Sequence, residues 1–255
     1  MESHTLNLST IHSGLDAYLN IGEIRDYPNA LNGLQLENNG RVTRLGAAVD
    51  ASLATIELAI AQQVDLLLVH HGLFWGGVTP VVGRHFQKLK RAISGNLAIY
   101  SAHLPLDIHP EIGNNMLLAQ TLQLPDPEPF FFQMGRNLGI ASKVAMERDQ
   151  LVARLESGLG GKIWICAAGP QKTRRIGIVT GGAGSKLEKA ADEGIDTFIT
   201  GEGPHHTFAL AEELRVNLIY AGHYATETFG VCALAEMFSV KYDLPWCFLD
   251  HPSRL

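Results

Sequence analysis

The chain has 255 residues, 46% hydrophobic and 18% charged. That balance excludes disordered, collagen-like and coiled-coil chains and allows one large domain or two of ordinary size. Twenty Lys and Arg against 26 Asp and Glu leave a net charge of −6, which disfavours a wide nucleic-acid-binding face, although Lys172, Arg174 and Arg175 form a local basic group. The most apolar runs, such as Val64 to Val69, fall far short of the ~20 residues of a membrane span. Met1 to Thr5 lacks the basic and apolar regions of a secretory signal. A cytoplasmic location is expected, with Cys166, Cys232 and Cys247 as buried, reduced thiols.

In chain order, Leu8 to Leu19 has helical spacing with Ser9 or Thr10 as its cap. Arg44 to Val49 reads as a strand, Ser52 to Gln63 as a helix, and Asp65 to Val69 as a strand running into His70-His71-Gly72. Arg84 to Ser94 reads as a helix and Leu97 to Tyr100 as a strand, followed at once by His103-Leu104-Pro105-Leu106-Asp107. This alternation predicts an α/β fold. Pro125, Pro127 and Pro129 mark a linker, dividing the chain into domains 1–126 and 127–255, with the C-terminal segment able to pack back on the first. Beyond it, Asn137 to Met146 and Lys162 to Cys166 are predicted strands flanking a helix near Asp149 to Glu156.

A shift of 131 residues then lays Arg44–Gly72 on Arg175–Gly203, with Arg44/Arg175, Gly46/Gly177, Glu57/Glu188, Ala59/Ala190, Asp65/Asp196 and Gly72/Gly203 identical. After a deletion of 11 residues, Tyr100 and His103 fall on Tyr220 and His223, and Asp107 falls on Glu227. The expectation is an internal duplication: two similar α/β domains, with a metal site in the cleft between them.

Ligand sites in open α/β sheets gather at the carboxyl ends of strands. His70 and His71, His103 with Asp107, and His223 with Glu227 all take that position in this reading. Imidazoles and carboxylates without a thiolate are the donors of a catalytic transition-metal site, and so many of them suit two metals sharing a bridging carboxylate and water. Pro105 favours a turn rather than a helix at the first His-x-x-x-carboxylate unit. Glu202, His205 and His206 are read as supporting or substrate-facing groups, or else as an exposed helix start. Gly181-Gly182-Ala183-Gly184-Ser185 offers either a phosphate-holding loop or a tight turn, and Trp75 either stacks on a base or packs under its loop. His109 reads as a turn residue, and His4, His12, His85 and His251 have no constellation around them.

Taken with Asn32-Gly33-Leu34-Gln35, His109-Pro110, Gly113-Asn114-Asn115, Thr200-Gly201-Glu202 and Gly222-His223-Tyr224-Ala225-Thr226-Glu227, these motifs resemble the Nif-three-like dinuclear-metal proteins, often labelled GTP cyclohydrolase 1 type 2 homologues. The resemblance runs from Asn32 to Glu227 and implies the short form of the family, without an inserted middle domain. It also implies a ring-shaped homohexamer and two divalent ions per chain (Zn, Mn, Fe, Co or Ni), held by His70, His71, Asp107, His223 and Glu227. His103 is expected to act catalytically as a proton shuttle. The expected activity is hydrolysis of a nucleotide or similar small anionic substrate, by a cyclohydrolase or a phosphoesterase reaction. The alternatives are a non-catalytic metal-binding or interaction scaffold and a nucleic-acid-processing ring.

Overall fold

The computed structural model describes residues 5–253, so His4 and the first four positions of the expected non-secretory start lie outside the described residues. The protein is a mixed α/β chain that divides into two compact units. Unit 1 comprises Met1–Leu106 and Gly230–His251; unit 2 comprises Asp107–Phe229 and Pro252–Leu255. The division thus falls at Leu106/Asp107, ahead of the prolines expected to form a linker. Leu118, Leu122 and Leu124, from the helix Asn114–Thr121 and the residues after it, pack with Ile176 and Ile199 in the core of unit 2, while Pro129 sits in the edge strand Glu128–Gln133. An edge strand tolerates proline because one side of its backbone has no ladder to complete.

Unit 1 is built on three parallel strands, Leu45–Asp50, Leu66–His71 and Ala98–Ser101. Gly33–Leu36 joins antiparallel at one edge and Trp246–Phe248 joins parallel at the other. The helix Leu8–Leu19 is capped by Asn7, whose side chain accepts from the Ser9 amide, rather than by Ser9 or Thr10. The helix Leu53–Ala61 starts at a reciprocal box in which the Ser52 and Thr55 side chains each accept from the other's backbone amide.

Unit 2 repeats the three-strand parallel core with Arg175–Ile178, Thr197–Thr200 and Asn217–Tyr220. Arg136–Lys143 and Glu128–Gln133 extend one side antiparallel, and Trp164–Ala167 closes the other. Glycine serves the same purpose in both cores. A Cβ on Gly46 would meet Val64 Cγ1 at 2.9 Å, and one on Gly177 would meet Ile195 Cδ1 at 3.0 Å, so each glycine lets the residue leading into the next strand close over the sheet.

The carboxylates of Asp65 and Asp196 are also used alike. Asp65 Oδ2 accepts from the amides of Thr43 (2.7 Å) and Arg44 (3.1 Å), and Asp196 Oδ2 accepts from those of Arg174 (2.9 Å) and Arg175 (3.2 Å). Each pins the start of one strand to the start of the next. Replacing either with alanine leaves two amides without their acceptor and is expected to cost ~1–3 kcal/mol, read as a lower urea midpoint at unchanged slope.

The strand register departs from the expected alignment at one point. Val69 and Thr200, 131 apart, pair with Ser101 and Tyr220, which are 220 − 101 = 119 apart, not 120. His103 therefore matches Gly222, and His223 matches Leu104. The shared Tyr-x-x-His spelling aligned identical letters, whereas backbone hydrogen bonding sets the equivalence one residue away.

Among the described residues no helix is long and apolar enough to cross a membrane. The three cysteines are unbridged; Cys166 is buried, while Cys232 and Cys247 are only half-buried. Burial, helped by Asp250 and Glu236, pushes the Cys232 thiol up to about 12.

Candidate metal centre

In unit 1 the sheet delivers three imidazoles to one place. His70 and His71 are the last two residues of Leu66–His71, and His103 stands two residues beyond Ala98–Ser101, the neighbouring parallel strand. One ring nitrogen from each of the three lies within 4.8 Å of the others, and the ring centroids are 4.8–5.8 Å apart. His70 is fully buried.

The hydrogen bonds fix which nitrogen faces the cluster. His70 Nδ1 lies 2.9 Å from the Ala102 carbonyl oxygen, which can only accept, so the proton is on Nδ1 and the lone pair on Nε2. His71 Nδ1 is 2.9 Å from Asp50 Oδ1, and His103 Nδ1 is 2.9 Å from Asp26 Oδ1. All three rings are thus held in the tautomer in which Nε2 can ligate a cation, the arrangement that ligating histidines take almost without exception.

Asp26 gathers further donors: the amides of Tyr27 (2.6 Å) and Leu104 (2.8 Å) and the side chain of Asn32 (2.8 Å). Burial works to raise its pKa, but the hydrogen bond and charge of His103, with Asn32 and the Tyr27 amide, outweigh it and hold the carboxyl below the ordinary 3.8. Asn32 also accepts from the His103 amide at 2.7 Å. Gln35 accepts from the Leu73 amide at 2.6 Å and fills the space a side chain at Gly72 would need. The Asn32-Gly33-Leu34-Gln35 motif therefore braces both histidine segments. Trp75 packs edge-on against His71 and His103, at 5.5 and 4.7 Å between centroids, so it packs under its loop.

Unit 2 carries the remaining donors. His223 opens the helix His223–Tyr242, and Glu227 lies one turn on, with Nε2 to Oε1 at 3.2 Å. His223 Nδ1 is held by Glu202 Oε1 at 2.8 Å, the same device as in unit 1. Burial alone would lower the His223 pKa, but Glu227 and then Glu202 outweigh it and raise it to about 9. In the absence of a cation the ring is therefore an imidazolium clasped by two carboxylates. Asp107, buried, accepts at Oδ1 from Asn114 Nδ2 (2.8 Å) and Thr180 Oγ1 (3.2 Å). It ends a single helical turn, Leu104–Asp107, where a plain turn was expected; a first helical turn needs no amide from Pro105.

Other histidines behave differently. His109 Nδ1 accepts from the amides of Glu111 and Ile112, which makes it a turn residue with the opposite tautomer. His205 and His206 are exposed at the start of the helix Thr207–Leu214. The Gly181–Ser185 loop is a tight turn: the amides of Gly181, Ala183 and Gly184 go to Thr226, Thr200 and Glu202.

Asp26 and Asp50 were not singled out from sequence. Asp50 stands opposite His71 in the strand register and was readable from it. Asp26 lies 77 residues from His103, and no local pattern announces it.

The family model for Duf34/NIF3 (NGG1p interacting factor 3) matches residues 6–253. The chain belongs to the NIF3 family. This NIF3 chain is 40% identical to a Deinococcus radiodurans protein named GTP cyclohydrolase 1 type 2 homolog, over 94% of this chain and 92% of that one. A Pyrococcus abyssi protein of the same name is also 40% identical, covering 96% and 98% of the two chains. The crystal structure of TTHA1606 from Thermus thermophilus superposes with a TM-score of 0.90 at 40% identity, over 98% of this chain and all of that one. The histidine and glutamate groups described above are a donor set that could hold a metal ion.

Proposed function

We propose that this NIF3 chain is a metal-dependent hydrolase of a nucleotide or similar small anionic substrate, with two divalent ions held by His70, His71, Asp107, His223 and Glu227. The observation that carries this reading is the shared ring orientation of His70, His71, His103 and His223, each with Nδ1 held by an oxygen acceptor so that Nε2 is the nitrogen a cation would take, against His109, whose Nδ1 accepts from backbone amides. A donor set of imidazoles and carboxylates fits zinc or a neighbouring first-row divalent metal. When bound, such ions supply the positive charge that acidifies water and polarises the centre under attack.

The chain's own residues supply the rest. Ala102, Asp50, Asp26 and Glu202 fix the rings. Asn114 and Thr180 aim the Asp107 carboxylate. His103, kept protonated on Nδ1 by Asp26, takes up and returns a proton at Nε2. The matched glycines and the matched Asp65 and Asp196 clamps support descent of the two units from one duplicated unit. Cytoplasmic residence and a homohexamer go with this proposal, and light scattering should give six times the chain mass.

The test is elemental analysis of wild type beside His71→Ala, Glu227→Ala, His103→Gln and His109→Ala, followed by GTP turnover on the same samples. About two ions per chain are expected in wild type and His109→Ala, and fewer in His71→Ala and Glu227→Ala. His103→Gln should keep its metal and lose turnover; loss of an ion there makes His103 a ligand. A wild-type chain that cannot be loaded overturns the proposal in favour of an interaction scaffold.

A further inference from the structure

Unit 2 contains a cavity of about 560 Å³, within the range of small-molecule sites. Trp164, Tyr220 and Tyr224 supply its aromatic surface, and among the described residues Lys162 and Glu202 are the charged side chains lining it. Glu202 is the residue that orients His223, and Gly222, also in the wall, immediately precedes that histidine. An occupant therefore lies beside a proposed metal ligand.

Two features of the wall are not explained by folding. Trp164 stacks on Tyr220 (centroids 5.0 Å apart, planes at 22°) and meets Phe208 edge-on, yet remains 42% exposed on its edge strand. Lys162 is exposed and forms no ion pair among the described residues, although Glu202 lines the same cavity. Among the described residues the cavity thus presents an open aromatic face, the Lys162 ammonium and the Glu202 carboxylate. That combination suits a planar ring with N–H donors that also carries an anionic group.

We infer that this cavity is the substrate subsite of the proposed hydrolase, taking a heteroaromatic ring against Trp164 with its N–H groups toward Glu202 and its anionic group at Lys162. The inference rests on the hydrolase reading, and it adds that the ring, rather than the phosphate, lies toward His223. Trp164 and Lys162 are positioning residues, set apart from the metal ligands.

The experiment is calorimetric titration of the full chain, both metal-stripped and metal-loaded, with GMP, guanosine and ribose 5-phosphate, with metal content measured on every sample. GMP is expected to bind best. Trp164→Ala should weaken GMP by roughly tenfold or more, with Trp164→Phe restoring most of the loss. Lys162→Ala should weaken GMP toward guanosine and leave guanosine itself unchanged. All three variants should keep wild-type metal content.

GMP affinity indifferent to Trp164 and Lys162, or ribose 5-phosphate binding as tightly as GMP, overturns the inference. Two ions per chain with that indifference sinks the subsite alone. GMP binding with these dependences in a chain that takes up no metal keeps the subsite and sinks the hydrolase.

Discussion

Asp26→Asn should lower turnover of the metal-loaded chain by ~10–100-fold while leaving metal content and fold intact, and Asp26→Ala should lose stability as well. The carboxylate is nearly inaccessible and accepts from His103 Nδ1, the amides of Tyr27 and Leu104 and the Asn32 side chain. Asparagine keeps the volume but turns an N–H₂ group on some of those donors, so His103 loses the partner that holds its tautomer. Alanine leaves four donors without an acceptor, three of them part-buried, at a cost of roughly 3 kcal/mol.

The pH dependence follows from the depressed pKa. The folded carboxyl titrates below 3.8, so its contribution to stability is complete above the ordinary aspartate range and is lost as pH falls through that range to the folded value. Asp26→Asn should lack this component of acid destabilisation. GTP turnover of the metal-loaded chain and urea melts at pH 7 and pH 3 read the two effects separately. Unchanged turnover in Asp26→Asn would detach Asp26 from the site.

Gly201→Ala should remove both stability and the unit-2 donor. A Cβ there would stand 2.6 Å from His223 Cα, 2.7 Å from the Gly181 carbonyl oxygen and 2.9 Å from the His223 amide. All three are backbone atoms, so no side chain can swing aside, and relief requires moving the start of the helix that carries His223 and Glu227. Overpacking of this kind costs ~1–3 kcal/mol, and the displacement should also lower metal content. Gly22→Ala, with nothing within 4 Å of its Cβ, is the matched control. Thermal unfolding with elemental analysis of both variants checks this; a Gly201→Ala chain with wild-type stability and metal would refute the close packing.

Much of this was legible in the sequence. The 131-residue shift rests on residues whose work is the same in both units: Gly46 and Gly177 make room, and Asp65 and Asp196 bind strand starts. The histidines at strand ends were readable because parallel strands deliver their last residues to one edge, and His70 and His71 do end theirs. What escaped was long-range or geometric. Asp26 comes from a stretch with no regular element, and only the folded chain brings it to His103. The division at Leu106 was hidden because prolines mark where regular structure is hard to extend, not where a core ends, and Leu124 is part of the unit-2 core.

Gly230–His251 belongs to unit 1 although Asp107–Phe229 does not, and this bears on how the chain is made. As the polypeptide leaves the ribosome, all but the last few residues of unit 2 emerge before the strand Trp246–Phe248 that completes the unit-1 sheet against Leu45–Asp50. The unit-1 sheet is therefore completed only after Asp107–Phe229 has been made. Until Trp246–Phe248 emerges, Leu45–Asp50 lacks its outer partner, the kind of edge on which nascent chains mispair, and a message truncated after Phe229 would leave that edge open for good.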